Sequence, residues 1–177
     1  MRDALARWQP TDPEQERLRG EFLRRLDEGP EALRRTGRPS HLTASALVLD
    51  RSRRSVLLVL HRVVGLWLQP GGHLEDGDGS LAGAALREAV EETGVPDLEL
   101  RDALPVHLDR HPAPCGASHH LDVRFVALAP DGAAPVVSDE SDDVAWFPLD
   151  ALPRQRAGVL APLVAAALRP RAGAPVG

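Results

Sequence analysis

Lysine is missing from this chain, and all 21 basic residues are arginine. Abundant Ala, Gly and Pro beside so much arginine reads as codon bias. Arginine suits phosphate recognition, because its fork is planar and permanently charged, but composition assigns no particular arginine to that task. Cysteine is nearly missing too. Cys115 stands alone, so no intrachain disulfide can form and a cytoplasmic location is the expectation. It lies in a Pro/Gly loop without a CxxC partner and reads as an incidental surface thiol. No apolar run approaches the roughly 20 residues that span a bilayer, and Met1 to Trp8 lack the apolar core of a signal peptide. A basic excess is also lacking: the formal charge is −5, which argues against general nucleic-acid binding. What remains is 177 residues, 43% hydrophobic and 27% charged, enough for one domain with a real core.

The chain alternates helical and strand patterns. Residues 13–28 read as a helix capped by Thr11 or Asp12, with Pro13 in its first turn and Leu18, Phe22 and Leu26 at four-residue spacing. Gly29-Pro30 ends it. A short helix follows over 31–35. The arginines of this region (Arg17, Arg24, Arg25, Arg34, Arg35) read as a solvated face paired with glutamates. Strands are expected over 41–49, 56–60, 65–68, 98–105, 121–129 and 144–147, and a final helix over 157–168. Strands interleaved with helices give an α/β sandwich with a mixed sheet. The expected organisation is an N-terminal helical extension over 1–39, a main α/β domain over 40–169 and a flexible tail over 170–177.

The most informative stretch runs from Gly71 to Val95. Glu88, Glu91 and Glu92 recur at offsets of three and four on a predicted helix, with Cβ atoms roughly 5–6 Å apart. Carboxylates so close repel unless something positive lies between them. Only a hard divalent cation accepts several carboxylates at once, and Mg²⁺ is the one used beside phosphates. The Gly71-Gly72 turn upstream lets backbone approach a ligand closely. Ser80 is the expected N-cap. Gly94 is the expected left-handed terminator, and Pro96 forbids continuation. Leu86, Val90, Ala89 and Ala82 are expected to face away from the glutamates. Ala84 and Ala85 are expected to flank the acidic face and leave room for a ligand. Arg87, one turn before Glu91, can hold that carboxylate or neutralise part of the cluster.

Gly72 to Val95 resembles the Nudix box: Gly, five residues, Glu, seven residues, Arg-Glu, an apolar residue, any residue, Glu-Glu, any residue, Gly, apolar. Arg87, Glu88, Ala89, Glu91, Glu92, Gly94 and Val95 match throughout. Asp78 stands where the box has Glu, and one extra residue lies between Asp78 and Arg87. The resemblance implies a Nudix-type α/β/α sandwich over residues 40–168. It also implies hydrolysis of a nucleoside diphosphate linked to another group, with one to three Mg²⁺ or Mn²⁺ ions.

On that resemblance Glu88, Glu91, Glu92 and the carbonyl at Gly72 are the metal ligands. Glu92, Glu88 and Glu140 are the candidate catalytic acids, with Asp143 behind Glu140 in the acidic loop 139–143. His73 and Arg87 are expected to face the bound ligand. His107, His111, His119 and His120 flank a Pro/Gly loop, and one or two are expected to reach the substrate. Trp67 and Trp146 read as core residues. The expected partner is a nucleotide-derived small molecule, with no membrane. The N-terminal helix could serve a homodimer or cover the sheet. A ligand sensor without catalysis is the competing reading, motivated by Asp78 and the extra residue.

Overall fold

The structure is a computed structural model that describes residues 1–170; the tail expected beyond them lies outside the described residues. Eight strands form one mixed sheet: β1 (Ser40–Leu49), β2 (Ser55–His61), β3 (Trp67–Leu68), β4 (Gly71–His73), β5 (Glu99–Leu100), β6 (His107–Pro112), β7 (His119–Leu128) and β8 (Ser141–Pro148). β1 and β7 run parallel at the centre, in register from Ser40 opposite His119 to Leu49 opposite Leu128. β4 and β2 pair antiparallel with the other edge of β1. β3 and β8 flank β2, while β5 and β6 flank β7.

The two central strands are buried almost end to end, as strands covered on both faces must be. Side chains alternate between faces. The even residues of β1 (Leu42, Ala44, Ala46, Val48) and the odd residues of β7 (Leu121, Val123, Phe125, Ala127) enter one hydrophobic cluster. Helices α1 (Arg2–Arg7), α2 (Pro13–Asp27) and α3 (Leu81–Thr93) cover that face, contributing Leu5, Leu18, Phe22, Leu81, Ala85 and Ala89. The opposite face changes character halfway along. Its far half is apolar, with Leu47, Leu49 and Val126 packed under Leu160 and Leu163 of α4 (Leu160–Leu168). Its near half is polar: His41, Thr43 and Ser45 on β1, with His120, Asp122 and Arg124 on β7. α4 therefore shields the apolar half, and the polar half forms the floor of a cavity of about 800 Å³.

The helix over 13–28 forms as expected. Asp12 accepts hydrogen bonds from Glu14 N and Gln15 N at 2.8 and 3.4 Å, satisfying two otherwise orphaned donors. α2 covers the sheet through Leu18 and Phe22. Arg17 and Arg34 pair with Glu14 and Glu31 at the surface. Arg25 does not belong to a solvated face. It is buried, and it donates to Ser40 O at 2.8 Å and to Arg38 O at 3.2 Å, tying α2 to the start of β1.

Four segments depart from the sequence expectation, the first being Gly71–His73, which pairs with β1 as a strand where the sequence reads as a turn. A 3₁₀ turn at Pro30–Leu33 replaces the short helix over 31–35. β5 spans only two residues of the expected 98–105: the Asp102 carboxylate accepts from Leu104 N at 2.8 Å, a local turn that competes with strand pairing, and Pro105 has no N–H to give a ladder. The segment 107–112 is a strand, not a loop, and the β6–β7 turn shrinks to 113–118. β6 alternates polar residues without an apolar face, so only its pairing with β7 defines it.

Candidate active site

The local chain builds the site from a glycine strand and the helix behind it. Gly71 lies opposite Ser45, and a Cβ there would stand 2.2 Å from the Ser45 Cβ. Only glycine lets the two strands meet at that point. A Cβ on Gly72 would stand 2.6 Å from a Glu88 carboxylate oxygen. Gly72 is thus the floor on which that carboxylate rests. Ser80 then caps α3 by accepting from Gly83 N at 2.9 Å. Gly94 ends it with φ +63° and returns its N–H to Val90 O at 2.9 Å.

The faces of α3 differ from the expectation. Ala84 and Ala85 are fully buried against the sheet, so they leave no room for a ligand. Residues four apart share a helix face. Glu88 and Glu92 therefore lie on the same side as Ala84, Ala85 and Ala89, while Leu86 and Val90 are only partly buried. Two of the three carboxylates are pressed toward the core. Glu92 is 7% exposed, and the Glu88 side chain is 12% exposed. Glu91 faces outward at 57%.

Arg87 organises the acids. Its guanidinium contacts Asp78 at 3.0 Å, Glu88 at 3.0 Å and Glu91 at 2.9 Å, and it donates to His73 O at 3.0 Å. Asp78 also accepts from Glu75 N at 2.8 Å. The shorter acid and the extra residue of the box therefore close a loop onto Arg87, and Arg87 holds the Asp78 carboxyl below the usual range. Glu92 has no cation beside it among the described residues. It faces Gly71 N–H and lines the cavity with Gly71, Gly72, His73 and Glu140.

Electrostatics follow from this placement. Burial pushes Glu92 up to about 8, with the Glu88 charge adding to it. Burial pushes Glu88 up to about 7, against the pull of Arg87. Burial also depresses His73, His107 and His120 to about 4. These shifts oppose one another in pH. The three histidines bind protons more weakly when folded, so their contribution is lost as pH falls below about 6.5. The two glutamates bind protons more tightly when folded, so stability falls as pH rises from their unfolded value near 4.5 through about 8. Above about pH 6.5 only the glutamate effect remains. Metal-free protein is therefore expected to lose on the order of 2 kcal/mol between about pH 6.5 and 8.5. Denaturant unfolding in chelator measures this, and a flat profile over that range contradicts it.

The structure brings several further residues to the cavity. Glu140 lies at its rim, exposed, and its charge is felt at both Glu88 and Glu92. Asp142 instead pairs with Arg62 at 3.0 Å, and Asp143 accepts from the N–H of Val144. His111 and His120 line the cavity; His107 contacts Gln15 instead, and His119 contacts Arg110. Trp67 stacks edge-on with Phe147, and Trp146 donates to Ala133 O, as core residues do. Cys115 is no incidental surface thiol, because its Sγ lies 3.2 Å from His120 Nε2. Sequence reasoning missed the cavity floor. Arg124 is buried, held by Asp122 at 2.7 Å and Asp109 at 2.9 Å, while Thr43 and Ser45 donate to Asp122. The available signal was the charged pair Asp122 and Arg124, two residues apart in the apolar stretch 121–128 of β7.

A family model described as NUDIX domain matches residues 39–167. The chain belongs to the Nudix family, and with it to the hydrolases of acid anhydrides. No curated protein matches it. Solved structures share the fold. A hydrolase of the NUDIX family from Clostridium perfringens superposes with a TM-score of 0.60 at 22% identity, covering 71% of this chain and 95% of that one. A MutT NUDIX hydrolase from Burkholderia pseudomallei gives 0.58 at 23%, covering 72% and 97%. The NUDIX domain of Shewanella oneidensis NrtR, complexed with ADP ribose, gives 0.54 at 23%, covering 83% and 94%.

Proposed function

We propose that this protein hydrolyses the pyrophosphate linkage of a nucleoside diphosphate joined to another group, using Mg²⁺ or Mn²⁺. The observation that carries the reading is Glu92: a buried carboxylate without a cationic partner among the described residues, beside Glu88 and a glycine floor that a Cβ would fill. Two buried acids held together repel unless a cation joins them. Such an ion would be held by Glu88, Glu91, Glu92 and the Gly72 carbonyl, with Glu91, 57% exposed and paired with Arg87, turning inward to reach it. Once bound, it would supply Lewis acidity toward phosphoryl oxygens and lower the pKa of a bound water.

The chain's own groups perform the rest. Arg87 restrains Glu88 and Glu91 at 3.0 and 2.9 Å, which limits the movement each needs to meet the ion. Glu140, on the cavity rim, accepts the proton of the attacking water. Glu92 is the second candidate for that proton. His73 and the buried floor close the cavity from beneath. The cavity of about 800 Å³ falls within the size range of small-molecule sites.

The substrate panel should hold ADP-ribose-type compounds, dinucleoside polyphosphates, oxidised nucleoside triphosphates and capped RNA ends. The expected result is Mg²⁺- or Mn²⁺-dependent cleavage of at least one class. Tight binding of a panel member without hydrolysis or metal requirement would overturn the reading in favour of a ligand sensor.

A further inference from the structure

A second group of ligand-type side chains, with no carboxylate in it, lies on the wall of the cavity that Glu92 also lines. Strand register assembles it. His41 on β1 lies directly opposite His120 on β7, and His73 on β4 pairs with Thr43, two residues along β1. The three rings form a near-equilateral triangle with centroids 5.1, 4.9 and 5.0 Å apart. Cys115, in the β6–β7 turn, completes the group, with Sγ 3.2 Å from His120 Nε2 and 3.6 Å from His41 Nε2. One ligand atom from each of the four lies within 4.8 Å of every other.

The hydrogen bonding leaves lone pairs turned inward. His41 Nδ1 donates to Gly37 O at 3.1 Å, which places the proton on that nitrogen and leaves Nε2 bare. Such outer hydrogen bonds orient metal-ligating histidines. His73 Nε2 is buried without a hydrogen-bond partner among the described residues, a vacancy that ordinarily costs about 1–3 kcal/mol. A packed histidine cluster without an ion would leave that cost standing. Three imidazoles and a thiolate are the donor set of zinc-class ions, and carboxylate-seeking Mg²⁺ has no use for it. A tetrahedral N₃S site with bonds of about 2.0–2.3 Å has edges of roughly 3.3–3.7 Å. The group needs only a small contraction to reach that size.

We infer that His41, His73, Cys115 and His120 form a second metal centre, which takes a zinc-class divalent cation and ties the β6–β7 turn to the sheet in the wall of the substrate cavity. The inference stands on these four residues and is independent of the carboxylate site. On binding, the Cys115 thiol loses its proton to solvent and the sulfur donates its lone pair to the ion.

Cobalt titration of the chelator-treated full chain tests it. The expected result is visible d–d bands of tetrahedral intensity and a sulfur-to-cobalt charge-transfer band, both saturating at one equivalent. Cys115→Ser should abolish the sulfur band. His120→Ala should weaken binding at least about 100-fold. Glu92→Gln should change neither. Cys115→Ser alters a partly exposed turn, so it keeps the test open if His120→Ala does not fold. Absent d–d bands, a sulfur band that survives Cys115→Ser, or bands lost in Glu92→Gln and retained in His120→Ala would overturn the inference.

Discussion

Glu92→Gln is expected to lower pyrophosphate hydrolysis by about 10³-fold, within the range for removing a group that carries charge or a proton in the transition state. The same change should stabilise the metal-free protein. Glu92 is buried and its pKa is driven up to about 8, so its ionised form costs free energy at neutral pH. Glutamine keeps the shape and can still accept from Gly71 N–H, but carries no charge. The expected gain is on the order of 2 kcal/mol near pH 8. The two readouts moving in opposite directions mark a functional carboxylate. A structural one would lose stability together with activity. Steady-state turnover and denaturant unfolding of the metal-free variant check both halves.

Arg87→Ala is expected to cost about 3 kcal/mol of stability and to cripple turnover. Arg87 is the one cation in contact with Asp78, Glu88 and Glu91 among the described residues, and it also donates to His73 O. Two of its partners are nearly buried: the Asp78 and Glu88 side chains are 7% and 12% exposed. Its loss leaves them unpaired, and an uncompensated buried charge is the expensive case. The exposed contact with Glu91 adds little. Asp78→Asn should cost less, because it removes one partner and leaves Arg87 its other carboxylates. Thermal or denaturant unfolding separates the two variants. Equal, small effects would show that Arg87 does not organise the acids.

Much of this was legible in the residues. α2 and α3 announced themselves by cap, period and terminator: Asp12 and Pro13 before 13–27, Ser80 and Gly94 around 81–93. β1 was legible from its alternating character and β2 from its continuous apolar run. The Glu88/Glu91/Glu92 spacing and the Gly71-Gly72 pair located the site, although the pair lies in a strand and not in the expected turn. What escaped depends on pairing between distant segments. β6 has no apolar alternation and exists because β7 offers an edge. The polar floor needs the parallel register of β1 and β7 to bring His41 beside His120 and Ser45 beside Arg124. Cys115 looked isolated because its histidine neighbours are 5 and 74 residues away in sequence. The burial of Glu88 and Glu92 on the alanine side of α3 also follows from docking, since offsets of three and four fix a shared face but not its direction.

The central claim is that the buried carboxylates of α3 carry metal-dependent cleavage of a pyrophosphate bond. Phosphorus NMR tests it most directly, following a nucleoside diphosphate derivative with chelator-treated wild type and Glu92→Gln as Mg²⁺ or Mn²⁺ is added back. The account predicts no cleavage in chelator, cleavage into two phosphoryl products with metal, and about 10³-fold less with Glu92→Gln. Cleavage in chelator, or equal rates for the two proteins, would contradict it.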